Sequence, residues 1–379
     1  MKIKNTFCLH FLMALLAVLF LCVHPLVTRF DPPLKFQPLI KAIDGTAKEQ
    51  AEKIATISHA LQGNAIFFIG ASEVATSEDE PYAVYNYLNN DLHRNVVAFG
   101  DSFDDSVTHF LLLSRFKNDL NANSKVVLLL APDSFYSTGV PPAIFANNFP
   151  APIFNPLMQD EQTRPFLVNY LRHINKKETS HLTFEQMKIS GWDLDNIWQE
   201  VSYEFANFCT LIKNDWLAML DVEASPARPW PVQPAVDITP NWEHELAHAR
   251  ELNEPRQESA DTLWMDKTVY QPGEKPEVWD DSPVEPEQLK AFRAMITLLK
   301  ERHVQVVVII DAINRRAVQN PELVQPAVTQ TTAILKENQI PYFDMYSMPY
   351  QDGWNWDRLH PTDLAWVPMD RFILESFKR

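Results

Sequence analysis

Five short apolar runs constrain this chain more than any other feature. They fall at residues 65–69, 95–99, 125–130, 304–310 and 340–343, and the longest is broken only by Gln305. Strict alternation of apolar and polar residues marks a sheet with one wet face. A near-continuous apolar run of strand length marks a strand covered on both faces, which is the habit of parallel sheets. Helical patterns separate the runs. Residues 41–61 place Ile43, Ala51, Ile54, Ile57 and Leu61 at three- and four-residue steps, and 106–120 carry Val107, Phe110, Leu113 and Phe116 on one face. A helix starting near Ser282 does the same with Leu289, Phe292, Met295, Ile296 and Leu299, and two more are predicted over 321–338 and 362–377. The expected fold is α/β, a five-stranded parallel sheet flanked by helices.

The rhythm stops at Pro132 and resumes near Pro286. Between them the sequence is aromatic and poor in strand signals, with proline-crowded loops at Val140-Pro141-Pro142 and at 225–231. Helices are predicted near 161–175 and 183–220. Trp264, Tyr270 and Trp279 give the acidic stretch 264–286 a reason to pack. The block reads as a helical insertion of about 136–286, laid on one face of the sheet within a single domain spanning 31–379. With 28 prolines against 8 glycines, the connections should be stiff.

The first thirty residues stand apart. Met1, Lys2 and Lys4 precede residues 6–27, whose strongly polar side chains are Thr6, His10 and His24 alone. Such a run can cross a hydrocarbon core of roughly 30 Å. A cleaved signal peptide is the competing reading, but Val23-His24-Pro25-Leu26 offers no small-x-small site, so residues 1–30 are expected to be a short tail and an uncleaved anchor. Basic residues on both sides leave the positive-inside rule silent. The short tail favours an N-terminus inside and a domain on the extracytoplasmic face of a bacterial membrane. Cys8 and Cys22 fall in the run, leaving Cys209 with no intramolecular disulfide partner outside it. The net charge of -16, with no basic run interleaved with aromatics, argues against nucleic acid. His93, His109 and His303 are scattered singly without zinc-like spacing, and no metal or cofactor is expected.

Two short stretches carry the chemistry. The first run ends in Gly70-Ala71-Ser72-Glu73, putting a hydroxyl at a strand end. Near the C-terminus lies Trp356-Asp357-Arg358-Leu359-His360-Pro361. A serine is a weak nucleophile until an imidazole takes its proton and a carboxylate fixes that imidazole's tautomer. Ser72, His360 and Asp357 supply the three groups, and ligands of open parallel sheets bind beyond the strands' carboxyl ends. The plain alternatives are Asp357 as the cap of a helix near Pro361 and His360 as a surface histidine. Glu73 reads either as a contact for a substrate amine or as an ordinary first-turn carboxylate. Arg315 and Arg316 stand as contacts for an anionic acceptor or as solvated charges.

The order Ser, Asp, His, with the last two three residues apart, resembles the SGNH (GDSL-like) hydrolases and, within them, the DltD family. The likeness rests on the N-terminal run, Gly70-Ala71-Ser72-Glu73, the second strand ending at Gly100, Ala131-Pro132-Asp133-Ser134-Phe135, the long insertion and Asp357-Arg358-Leu359-His360 followed by Trp366. It implies that Ser72 is a nucleophile, His360 its base and Asp357 the orienter, with the N–H groups of Ser72 and Gly100 as oxyanion donors. Many SGNH hydrolases carry an Asn in the third block, where this chain has Asp133 and Ser134. Gly100-Asp101-Ser102 spells the GDS signature more literally, so Ser102 is a rival nucleophile, or else a helix N-cap. Ser72 is preferred because Gly100 then takes the second-block position. The resemblance further implies D-alanyl transfer to an anionic envelope polymer, with a membrane-bound O-acyltransferase as partner and a D-alanyl carrier protein upstream. O-acetylation or ester hydrolysis on the same fold, and a non-catalytic binding module, are the alternatives.

Overall fold

The computed structural model describes residues 37–137, 139–173, 238–253 and 276–377. In chain order the elements are β1 (Leu39–Ile40), α1 (Ala47–His59), β2 (Ile66–Ile69), α2 (Ser72–Ala75), α3 (Val84–Asn90), β3 (Val96–Phe99), α4 (Ser106–Arg115), β4 (Lys125–Leu130), α5 (Pro142–Asn148), α6 (Ala151–Gln159), α7 (Arg164–His173), α8 (Trp242–Asn253), α9 (Pro286–Glu301), β5 (Gln305–Ile310), α10 (Gln325–Glu337), β6 (Tyr342–Asp344) and α11 (Asp363–Phe377). The strands form one parallel sheet in the order β1-β3-β2-β4-β5-β6.

The five expected strands are present at nearly the expected positions. The sixth, β1, is a two-residue edge that pairs Leu39 and Ile40 with Ala98 and Phe99. Alternate strand residues feed two cores. Ile66, Phe68, Val96, Ala98, Val127, Leu129, Val307 and Ile309 meet Leu88 of α3, Ala249 of α8 and Trp366 of α11. Their neighbours Phe67, Val97, Leu128 and Val308 face the opposite side and are equally buried. Each such side chain contributes about 1.5–3 kcal/mol on leaving water.

The insertion departs from expectation, because its described helices do not share one face. α6 and α7 pack on α4, whereas α8 packs on α11, where Trp242, Leu246 and Ala249 cover the other core. Helical periodicity reports that a face is covered but not which side of a sheet covers it. α1 begins at Ala47 rather than near Lys41, because Thr46 and Glu49 form a capping box: Thr46 Oγ1 accepts from Glu49 N at 3.3 Å and Glu49 Oε2 from Thr46 N at 2.7 Å. α9 starts at Pro286, the favoured first-turn place for proline, and not near Ser282. The expected anchor at 6–27 and the expected helix at 183–220 lie outside the described residues. Among the described residues, no helix is long and apolar enough to cross a membrane.

The strand order positions the site. From β2 the chain moves to β3 on one side, then crosses to β4 on the other. That reversal opens a crevice at the carboxyl end of β2, the place where ligands settle in doubly wound sheets.

Candidate active site

Ser72 opens α2, three residues beyond the end of β2, and is half-buried. The turn leading to it is clamped from two sides. Gly100, just past β3, lies so close that a Cβ there would sit 2.6 Å from the Gly70 carbonyl oxygen and 2.8 Å from that of Ala71. His109, on α4, meets the Gly70 carbonyl through Nε2 at 3.0 Å. Burial pushes the pKa of His109 down to about 4, so its ring is neutral and Nε2–H is the donor. In the sequence His109 is one of several scattered histidines, and only the packing of α4 under the turn gives it a task. The Gly100 N–H is already engaged, donating to the Ile40 carbonyl at 3.2 Å. The edge strand β1, which the sequence did not foresee, takes the bond of this candidate oxyanion donor.

The second half of the site is a tight loop pinned to the end of β5. Asn355, fully buried, donates from Nδ2 to the carbonyls of Leu359 at 2.7 Å and Ala312 at 3.3 Å. Asn314 donates from its N–H to the Arg358 carbonyl at 3.0 Å and from Nδ2 to the Asp357 carbonyl at 3.1 Å. Within this frame Asp357 Oδ1 accepts from the N–H groups of Leu359 and His360 at 2.8 and 2.9 Å, and Oδ2 lies 2.5 Å from His360 Nδ1. The carboxylate therefore serves its own loop. It caps no helix, since α11 starts only at Asp363.

Burial works to raise the Asp357 pKa, but the bond to His360, its charge and the two N–H groups prevail and hold it below the ordinary carboxylate value. For His360, burial lowers the pKa, while Asp357 and then Glu73 outweigh it, so the imidazolium is stabilised. His360 Nε2 is buried and makes no hydrogen bond, so none joins it to Ser72 Oγ in this structure. Glu73 brings the two halves together, because the residue next to Ser72 and the imidazole of His360 each shift the other's ionisation. Two further acids join them: Asp133, already noted in the third block, and Asp311, which the sequence did not single out. Asp311, at the end of β5, is fully buried with Oδ2 unpartnered, and Asp133, in the turn after β4, has Oδ1 buried and unpartnered. Burial raises both, with the charge of Glu73 adding to Asp311 and that of Arg358 opposing in Asp133.

The rival serine, Ser102, sits in a turn where its N–H donates to Asp101 Oδ1 at 2.7 Å, and burial raises Asp101, with the charge of Asp44 adding and that of Lys41 opposing. Ser102 is not a helix cap, because Asp105 caps α4. Arg315 and Arg316 are occupied: Arg315 donates to the Tyr346 carbonyl at 3.2 Å and Arg316 pairs with Asp352. Arg358 pairs with Glu277.

Chemically, a carboxylate-anchored imidazole with a free ring nitrogen can take a proton from a hydroxyl and return it. Among the described residues, no group of three or more His, Cys, Asp or Glu is arranged to hold a metal ion. No curated protein matches the chain. A family model described as DltD protein matches residues 45–378, from the turn before α1 to the end of the last helix. The chain therefore belongs to the DltD family, a family of the D-alanylation of teichoic acids in the cell envelope.

Proposed function

We propose that the protein is a serine acyltransferase that moves D-alanine onto an anionic envelope polymer through an ester on Ser72. The observation that carries this reading is His360, held by Asp357 through Nδ1 while Nε2 remains buried without a partner beside the turn that bears Ser72 and Glu73. Ser72 Oγ attacks the carbonyl carbon of an activated D-alanyl ester as its proton passes to His360 Nε2. The tetrahedral adduct collapses, the leaving group departs with that proton, and D-alanine rests on Ser72. A polymer hydroxyl then gives its proton to Nε2 and attacks the ester, and Ser72 leaves as the alcohol. Asp357 keeps the tautomer that makes this possible. The Ser72 N–H at the start of α2 faces the developing oxyanion; Gly100 contributes a second donor only by releasing Ile40.

Residues 6–27 anchor the chain, and residues 31–379 work outside the membrane. The acyl donor reaches the site from a membrane-bound O-acyltransferase, itself supplied by a D-alanyl carrier protein. Each ester adds an ammonium to the polymer and lowers its negative charge. Cells carrying Ser72→Ala in place of the wild-type chain should lose D-alanine esters from the envelope while the variant protein accumulates normally. Undiminished ester content would dismiss the assignment. A second reading, a non-catalytic module that positions donor or acceptor, draws on the missing Ser72–His360 hydrogen bond and the engaged Gly100 N–H. It gains if a serine-directed phosphonate leaves Ser72 of the folded chain unlabelled. O-acetyl transfer or ester hydrolysis on this fold would show as turnover of acetyl rather than D-alanyl esters by the purified chain.

A further inference from the structure

We propose that Glu73 is a positioning residue for Ser72 and His360: its carboxylate folds back past Ser72 onto the Ala71 N–H and lends its charge to the imidazole. The inference rests on the reading of Ser72 as nucleophile and His360 as base. Glu73 is only 1% exposed, and its Oε2 accepts from Ala71 N at 3.2 Å. A first-turn carboxylate ordinarily stays in water, where it favours the positive end of a helix. This one is buried, on a helix of a single turn that has little dipole to offer. Burying a carboxylate costs several kcal/mol unless hydrogen bonds and an opposite charge offset it. The Ala71 N–H and the imidazolium of His360 supply part of both, and burial still holds the Glu73 carboxyl above its ordinary value.

The hydrogen bond closes a ring around Ser72, tying the residue before it to the side chain of the residue after it. With Gly100 and His109 holding Gly70 and Ala71 from the other side, the backbone that aims Oγ has little freedom. The charge acts at the same moment. When the Ser72 proton moves to Nε2, the new cation faces Asp357 and Arg358 from its own loop, Glu73 from α2, Asp133 from the turn after β4, and Asp311 near the end of β5 through its coupling to Glu73 and Asp357. In its charged form Glu73 stabilises the cation.

The test compares the detergent-solubilised full-length wild type with Glu73→Gln and Glu73→Ala. The rate of Ser72 labelling by a fluorophosphonate is followed over roughly pH 5 to 9, where an imidazole titrates. In the wild type the rate rises as His360 loses its proton. Glu73→Gln keeps an oxygen for the Ala71 N–H but no charge, so the midpoint moves to lower pH with a nearly preserved plateau. Glu73→Ala loses the tether as well, and the plateau falls by about 10²-fold, the scale of a misplaced reacting group. His360 is also titrated by NMR in a Ser72→Ala background, where the same downward move is expected without any reaction. A midpoint that Glu73→Gln leaves in place by both methods overturns the proposal while leaving the nucleophile intact. So does a Glu73→Gln defect confined to amine-bearing phosphonates, which would make Glu73 a substrate contact. If the wild type is unlabelled at every pH, the reading of Ser72 falls first and this proposal with it.

Discussion

Asp357 receives three hydrogens at once, two from its own loop on Oδ1 and one from His360 on Oδ2. That division predicts what Asp357→Asn will do. The amide oxygen still accepts from Leu359 and His360, so the loop survives. The amide nitrogen, however, faces Nδ1 as a donor and forces the ring proton onto Nε2, where it blocks uptake of the Ser72 proton. Phosphonate labelling of Ser72 should fall by about 10⁴-fold, as in other triads given this substitution, with thermal unfolding nearly unchanged. A fall in stability to match would make Asp357 a structural residue. At this scale the sequence was readable where chemistry and spacing coincide, as in Asp357-x-x-His360. It was unreadable where a role depends on contacts across the chain: nothing near Asn314, Asn355 or His109 announces that they hold the loop and the turn. Asp311 was hidden because it reads as the polar end of an apolar strand.

Between the elements, Asp105 caps α4 and joins it to two other helices. Oδ1 accepts from Val107 N and Thr108 N at 3.0 Å each, while Oδ2 accepts from Gln288 Nε2 of α9 at 2.8 Å and from Tyr170 Oη of α7 at 3.0 Å. Asp105→Ala removes a cap worth about 1 kcal/mol and strands two buried donors at about 1–3 kcal/mol each. Urea denaturation should show a loss of about 3 kcal/mol or more, and a loss below about 1 kcal/mol would mean that water replaces the carboxylate freely. Because α4 also carries His109 under Gly70, Ser72 labelling should slow in the variant even where it remains folded. β2, β3, β4 and β5 were legible because each is buried on both faces, which leaves one pattern for one structure, whereas β6 is only half-buried. β1 was not, since two residues make no pattern. The start of α1 was written in Thr46 and Glu49, three residues apart, a box that the apolar period of 41–61 obscured. The split of the insertion between two faces depends on which core each helix completes, and no local pattern encodes that.

Across the whole molecule, buried acids set the response to pH. Burial raises Asp104, Asp311 and Asp370 well above the ordinary carboxylate value, and for Asp370 the charge of Asp363 adds to it. Such an acid holds its proton more tightly folded than unfolded. From its unfolded pKa of about 4 up to its folded one, folding takes up a proton, so its contribution to stability is full below that window and is lost as pH rises through it. His360, also raised, adds stability that is lost as pH climbs through its folded pKa. Asp357, held low, works in the opposite sense, and its share is lost only as pH falls through its depressed value. The chain's formal charge of -16 reinforces the first trend, because rising pH adds negative charge to a molecule that already repels itself. Stability should therefore decline from mildly acidic toward alkaline pH. Asp370 is the sharpest probe, being fully buried on α11 with neither carboxylate oxygen hydrogen-bonded. Asp370→Asn keeps the shape and removes the ionisation. Its melting temperature should exceed the wild type's by a few degrees near pH 8 and converge with it near pH 4, where the wild-type carboxyl is already protonated. Equal melting curves at both pH values would show that folding does not raise the pKa of Asp370.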